Sequence, residues 1–393
     1  MDILIRKQRE IRNFYMLVGL GALVVLTGLG AARFMEEHGH IVTGMTNQVV
    51  WGMPHVFAIF MIVAASGVLN IASIGSVFGK KPYKARAPLS GLLSIALLAG
   101  GLTVLMLDLG RPDRVIVAAT HINTTSVFAW NVFLYSGLFS FVGIYLWTML
   151  EARMNPWTKP VGLLVFAWRI ILTTGTGMIF AFLVARQSYG TAILPPMFIV
   201  MSFAWGLAVL YIVQAAMYGW NNLDIDPAVL KRFKNLLGLF VLSVLYLVTV
   251  YHMTNLYFAK HADFERFILI EGGIYPLLFW GGFFFLGCLL PLALIYSPNL
   301  GKHCHVLLAS VLVILGSFSF LYVFIIGGQA FPLMIFPGYE VTSSFGDGQI
   351  ASYSPSVPEI LLGAGGVGVA FLITTVGVRV LNMLPKDEAG HPE

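Results

Sequence analysis

Ten long apolar runs follow one another along this chain, near 14–35, 49–78, 88–107, 126–150, 161–184, 196–218, 236–258, 272–296, 304–327 and 358–383, divided by short polar or Pro/Gly-rich stretches. A hydrocarbon layer of about 30 Å needs about 20 apolar residues per crossing helix, and every backbone polar group inside it must be satisfied within its own segment. None of the runs alternates with the period of two that a membrane barrel strand requires. The expected fold is therefore all-α and polytopic, with ten transmembrane helices. Of the 393 residues 58% are hydrophobic and 10% charged, so the ten spans use nearly all the apolar material and leave no sizeable soluble domain. An ordinary water-soluble enzyme is excluded.

The net charge of +5 does not point to nucleic acid, because the basic residues lie in short connections between spans. With Arg33 and Arg379 near span ends counted, 16 Lys and Arg fall on one side and six on the other. By the positive-inside rule both termini are then cytoplasmic, which agrees with an even number of spans. The first run follows Arg6-Lys7-Gln8-Arg9 like a signal peptide. It is too long, and it runs into Arg33-Phe34-Met35-Glu36-Glu37 without a small-residue cleavage site, so a retained helix is expected.

Spans 2–5 and 6–9 repeat the same sequence of directions. Two four-helix bundles with spans 1 and 10 at the periphery are expected, in one domain: residues 1–48 as N-terminal segment and first span, 49–184 and 196–327 as the bundles, 328–357 as an outer loop with docking character, and 358–393 as the last span and tail. The two cysteines, Cys288 and Cys304, belong to no Cys-x-x-Cys pattern. The chain is thus expected to carry no iron–sulfur cluster, no c-type haem and no metal of its own, and any redox chemistry needs a partner to carry electrons onward.

Ionisable groups at membrane depth are costly and point to function. Asp108 lies at the outer end of span 3. Trp51, Pro54 and His55 at the start of span 2 are spaced i, i+3, i+4 and share a face, and Asn131 and Tyr135 share another on span 4. Three spans thus offer a histidine, a carboxylate, an amide and a phenol to one shallow layer. That set suits a two-electron, two-proton carrier such as a quinone, with His55 and Asp108 taking protons and Asn131 or Tyr135 fixing the ring oxygens. Arg111, three residues past Asp108, is expected to hold the carboxylate ionised; the competing reading has Asp108 and Arg111 merely closing the turn. A second polar cluster is read at His252, Asn255, Glu271 and Tyr275, where His252 is more readily a structural histidine than a ligand. A b-type haem between His55 and His252 is disfavoured because they belong to different bundles. Arg169, deep in span 5 with no acidic neighbour, is read as snorkelling or binding a lipid phosphate. No carboxylate lies in the inner halves of the spans, so a carboxylate proton wire is not expected.

Leu107-Asp108-Leu109-Gly110-Arg111-Pro112 resembles the helix-3 signature of the NrfD/PsrC family of respiratory membrane subunits. Beside it stand Trp51-Gly52-Met53-Pro54, Gly79-Lys80-Lys81-Pro82-Tyr83, Thr125-Ser126-Val127-Phe128-Ala129-Trp130-Asn131 and Trp168-Arg169 with Thr173-Thr174-Gly175-Thr176-Gly177. In combination these are most similar to the DsrP branch, the membrane subunits of sulfite-reduction-associated DsrMKJOP complexes. The resemblance implies a quinone-interacting subunit, with menaquinone or ubiquinone as bound substrate, in an electron-transfer complex of sulfur metabolism. It implies an outer-side ferredoxin-like iron–sulfur partner (DsrO-like), a multihaem cytochrome c (DsrJ-like) and other membrane and cytoplasmic subunits. A secondary transporter, or a structural anchor without a redox site, is the alternative. Transporters place substrate at the midplane, which is apolar here.

Overall fold

The computed structural model of the chain describes residues 5–6, 14–77, 79–297, 301–333, 348–381 and 383–385. Among them are ten helices long and apolar enough to cross a membrane. They are α1 (Phe14–His38), α2 (Met53–Ser76), α3 (Ala87–Leu107), α4 (Val127–Leu150), α5 (Thr158–Ala181), α6 (Leu194–Trp220), α7 (Pro227–Tyr257), α8 (Ile274–Tyr296), α9 (His303–Ala330) and α10 (Val357–Val380). Proline opens α2, α3, α6, α7 and α10 in the first turn, where its missing N–H costs nothing. A capping box of Ser356 and Glu359 starts α10.

Two boundaries depart from the sequence reading for a physical reason. The α7 helix begins at Pro227, well before the apolar run, because its first turns carry Lys231, Arg232 and Lys234 beyond the hydrophobic stretch. Apolarity marks only the part of a helix in contact with apolar surroundings. The stretch after α7, read as a loop, folds as a helix over Ala259–Arg266 that continues into a π-helical turn, Phe267–Glu271. Wider π-helical turns also occupy Leu277–Leu289 of α8 and Tyr322–Gly327 of α9.

Helices α2 to α5 close one four-helix group and α6 to α9 another, and the two meet where α2 crosses α6. The crossing is at Gly67 and Gly206, where a methyl on either residue would collide with the facing backbone. Small residues allow this approach, and close packing replaces the hydrophobic drive that lipid removes. The α2 helix is buried on nearly every side. The α1 helix packs on α10, and α10 lies against α2 and α3. Ile5–Arg6 pairs antiparallel with Leu384–Pro385, so the first and last described segments share one end of the molecule. The opposite end, called the site end below, carries the start of α2, the end of α3 and the start of α4. The middle of the loop read as a docking surface, residues 334–347, lies outside the described residues.

Candidate functional site

The α3 helix ends at Leu107, and Asp108 is its C-cap, its N–H bonded to the carbonyl of Val104. The carboxylate therefore leaves the helix end toward α2. There Nδ1 of His55, in the first turn of α2, lies 2.9 Å from Oδ2, with the Asp108 side chain 2% exposed and that of His55 22%. The approach is too oblique for a good hydrogen bond, and Oδ1 of Asp108 is buried with no hydrogen-bond partner among the described residues. A buried carboxylate with an unfilled oxygen is a place where a donor hydroxyl is favoured.

Trp51 is not on a helical face with His55, as the spacing predicts. Gly52 is the N-cap, and Trp51 precedes the helix. Its indole nevertheless stacks on the His55 imidazole, with centroids 5.8 Å apart and planes at 24°. Phe128 of α4 and Phe180 of α5 meet the same indole edge-on at 6.3 and 5.7 Å. His55 thus touches both Asp108 and Trp51.

Asn131 lies a turn beyond Phe128 on α4. It donates to the carbonyls of Val127 (2.9 Å) and Gly175 (3.3 Å), while its Oδ1 is buried without a partner among the described residues. Tyr135, one turn deeper, is buried with its hydroxyl against Thr176 of α5. Both tie α4 to α5. Arg111 does not meet the expectation placed on it: it precedes a 3₁₀ turn at Pro112–Arg114, is exposed, and makes no ion pair with Asp108. Histidine, not arginine, is the side chain that meets that carboxylate.

Sequence reasoning missed the frame around Trp51. Gln329, at the end of α9, accepts the N–H groups of Val50 and Trp51 on Oε1, both at 3.0 Å, and donates to the Trp51 carbonyl at 3.0 Å. Gln48 donates to the carbonyl of Ala330 at 3.0 Å, and Arg186 donates to the carbonyls of Gln48 (2.8 Å) and Gln329 (2.7 Å). Glu359, fully buried, accepts from Gly44 N (2.9 Å), Ser356 N (2.7 Å) and the Tyr353 hydroxyl (2.6 Å), and that hydroxyl in turn accepts from Met53 N. Burial, and then the hydrogen bond and charge of Glu359, push the Tyr353 phenol far above its ordinary 10.0. Only the Ser356-x-x-Glu359 capping pattern has a local signature in the sequence; the glutamines carry none.

The second cluster is real but differently composed. His252 Nδ1 lies 2.6 Å from Oε2 of Glu265, and Asn255 donates to Oε1 of the same carboxylate at 2.8 Å. Glu265 is fully buried, because the helix Ala259–Arg266 turns it onto α7. Glu271 is not part of this cluster. It is half exposed and pairs with Arg266 at 2.6 Å. Tyr275 packs on Phe267, and Tyr275 and Glu271 line an open groove of about 550 Å³. Arg169 does not snorkel either. It is 1% exposed, its guanidinium sits 4.9 and 5.7 Å from the rings of Phe166 and Phe203, and Nε and Nη1 have no hydrogen-bond partner among the described residues.

Comparison with known proteins places these features in a family. Over 368 residues the chain is 28% identical to an Hdr-like menaquinol oxidoreductase integral membrane subunit of Archaeoglobus fulgidus, covering 93% of this chain and 92% of that one. It is 27% identical, over 93% of its length and 90% of the relative's, to a putative membrane subunit of the dimethyl sulfoxide reductase of Halobacterium salinarum. It is 20% identical, over 94% of each, to a subunit of the selenate reductase of Mesobacillus selenatarsenatis. Residues 41–333, which include α2 to α9 and every residue of the His55 site, match the family model described as polysulphide reductase, NrfD, and the chain belongs to that family of integral membrane subunits.

Proposed function

We propose that this chain is the quinol-reactive membrane subunit of a respiratory oxidoreductase complex. The observation that carries the reading is the contact of His55 Nδ1 with a buried Asp108 whose second oxygen has no partner among the described residues. A quinol hydroxyl donating to that oxygen would complete it, and the flat wall of Trp51 beside His55 suits an aromatic ring. Oxidation of one quinol yields one quinone, two protons and two electrons. His55 and Asp108 take up the protons and pass them to the site end, one helical turn away. The electrons leave to a partner subunit. The relative named as a menaquinol oxidoreductase subunit supports menaquinol as the substrate. The partners that fit are an iron–sulfur protein seated over the site end and, in a DsrMKJOP-type assembly of sulfur metabolism, a multihaem cytochrome c. Positive charge bias supports placing the termini in the cytoplasm and the site on the outer side.

Asp108→Asn tests the reading, since it keeps the shape and removes the proton acceptor. Quinol-dependent turnover is expected to fall at least about a hundredfold, the usual worth of a general base, in a complex that assembles and melts as wild type. Turnover at the wild-type rate would remove Asp108 from the site.

A further inference from the structure

Trp51 precedes α2 and belongs to no helix, so no helical hydrogen bond fixes its backbone. Its backbone is held from the other four-helix group. The Gln329 amide makes four hydrogen bonds: from Val50 N–H and Trp51 N–H, and to the carbonyls of Trp51 (3.0 Å) and Ile325 (2.9 Å). That is the full capacity of a primary amide, two donor hydrogens and two acceptor lone pairs, and the residue is 1% exposed. Arg186, between α5 and α6, closes the clamp by gripping the carbonyls of Gln329 and Gln48 with two nitrogens of one guanidinium. Gln48 returns the exchange, donating to the backbone beside Gln329. Each glutamine thus satisfies the main chain that carries the other.

We infer that Gln329 is a positioning residue for the site: it acts through the Trp51 backbone, setting the indole against His55 and so the width of the slot a quinol ring enters. The inference rests on the quinol-reactive reading above. Gln329 suits the task because it saturates the peptide groups on both sides of Trp51 without bringing a charge near the His55–Asp108 pair. A shift of about 1 Å in a wall of a reaction site is enough to cost one to two orders of magnitude.

The experiment is a cycle of variants in the purified, assembled complex, with quinol oxidation measured over a range of quinol concentrations. Gln329→Leu keeps much of the bulk of the side chain and removes all four hydrogen bonds. It is expected to raise KM for quinol roughly tenfold while kcat changes less than about twofold, the signature of lost binding. Trp51→Ala is expected to raise KM at least as much. The pair together should be no worse than Trp51→Ala alone, because Gln329 has nothing left to position. Arg186→Lys, which keeps the charge and loses the two-pronged grip, should shift KM in the same direction by less, and it serves in the cycle if Gln329→Leu does not assemble. An unchanged KM in assembled Gln329→Leu, or effects that multiply with Trp51→Ala, would overturn the inference. Asp108→Asn is run alongside. If it is inactive while Gln329→Leu is unaltered, the clamp alone is wrong; if it is active, the quinol reading fails and the clamp with it.

Discussion

Asp108 and Glu265 are both buried acids, and each is met by the Nδ1 of a histidine. A charge near a helix end in a membrane costs less than the roughly 2.5–3.5 kcal/mol of the helix centre, and an imidazole in contact offsets much of the remainder. The two sites differ in completeness. Glu265 has partners on both oxygens, whereas Asp108 has one oxygen left over among the described residues. His55 and Asp108 were legible in the sequence because such residues are rare near apolar runs. Glu265 was not, since it lies in a short helix with too few apolar residues to register as a span. The Tyr353 phenol gives a test at this scale. Its folded pKa is raised above the ordinary 10.0, so the folded chain keeps a proton that the unfolded chain loses as pH rises past 10.0. The stability this contributes is whole below pH 10 and falls above it, by up to about 1.4 kcal/mol per pH unit. Tyr353→Phe should therefore melt at lower temperature near neutrality and show a shallower decline above pH 10, read from thermal unfolding against pH. An identical slope in both proteins would show that Tyr353 does not contribute.

At the scale of elements, the ten helices were legible because a run of about 20 apolar residues has one stable solution in lipid. Their grouping into spans 2–5 and 6–9 was legible from the repeated order of directions; which helices join the two groups was not, since lipid-facing and helix-facing positions are alike in hydropathy. What decides the neighbours is where backbones can approach, and Gly67 of α2 against Gly206 of α6 is the place where the two four-helix groups do so. Gly67→Leu sets a branched side chain against main chain that cannot retreat, where overpacking costs about 1–3 kcal/mol or more. It should lower the melting temperature and release the α6–α9 group from the site, weakening quinol turnover. A leucine at Gly143, where the surroundings are open, should leave both unchanged. Equal behaviour of the two variants would remove the crossing as the joint. The same crossing explains why the Trp51 frame was unreadable: Gln48 and Gln329 meet only after α2 and α9 have been brought to one end.

In the whole molecule the two groups are not independent. The α9 helix supplies the residue that frames Trp51, and α10 supplies Glu359, to which Tyr353 and the segment before α2 are bonded. A chain stopping before Val357 retains α2 to α9 but loses Glu359 and the partner of α1. It should melt several degrees lower and lose quinol turnover, and equal melting and turnover in the truncated and full chains would show that α10 is dispensable.

The pairing of α1 with α10 also has a bearing on how such a chain is made. Gly28 and Gly365 touch backbone to backbone, although they belong to the first and last of the ten spans. Synthesis runs from α1 to α10, so the contact stripe of α1 is without this partner until the last span has been made. Any defect that slows synthesis of the middle of the chain prolongs the interval in which that stripe can take a wrong neighbour.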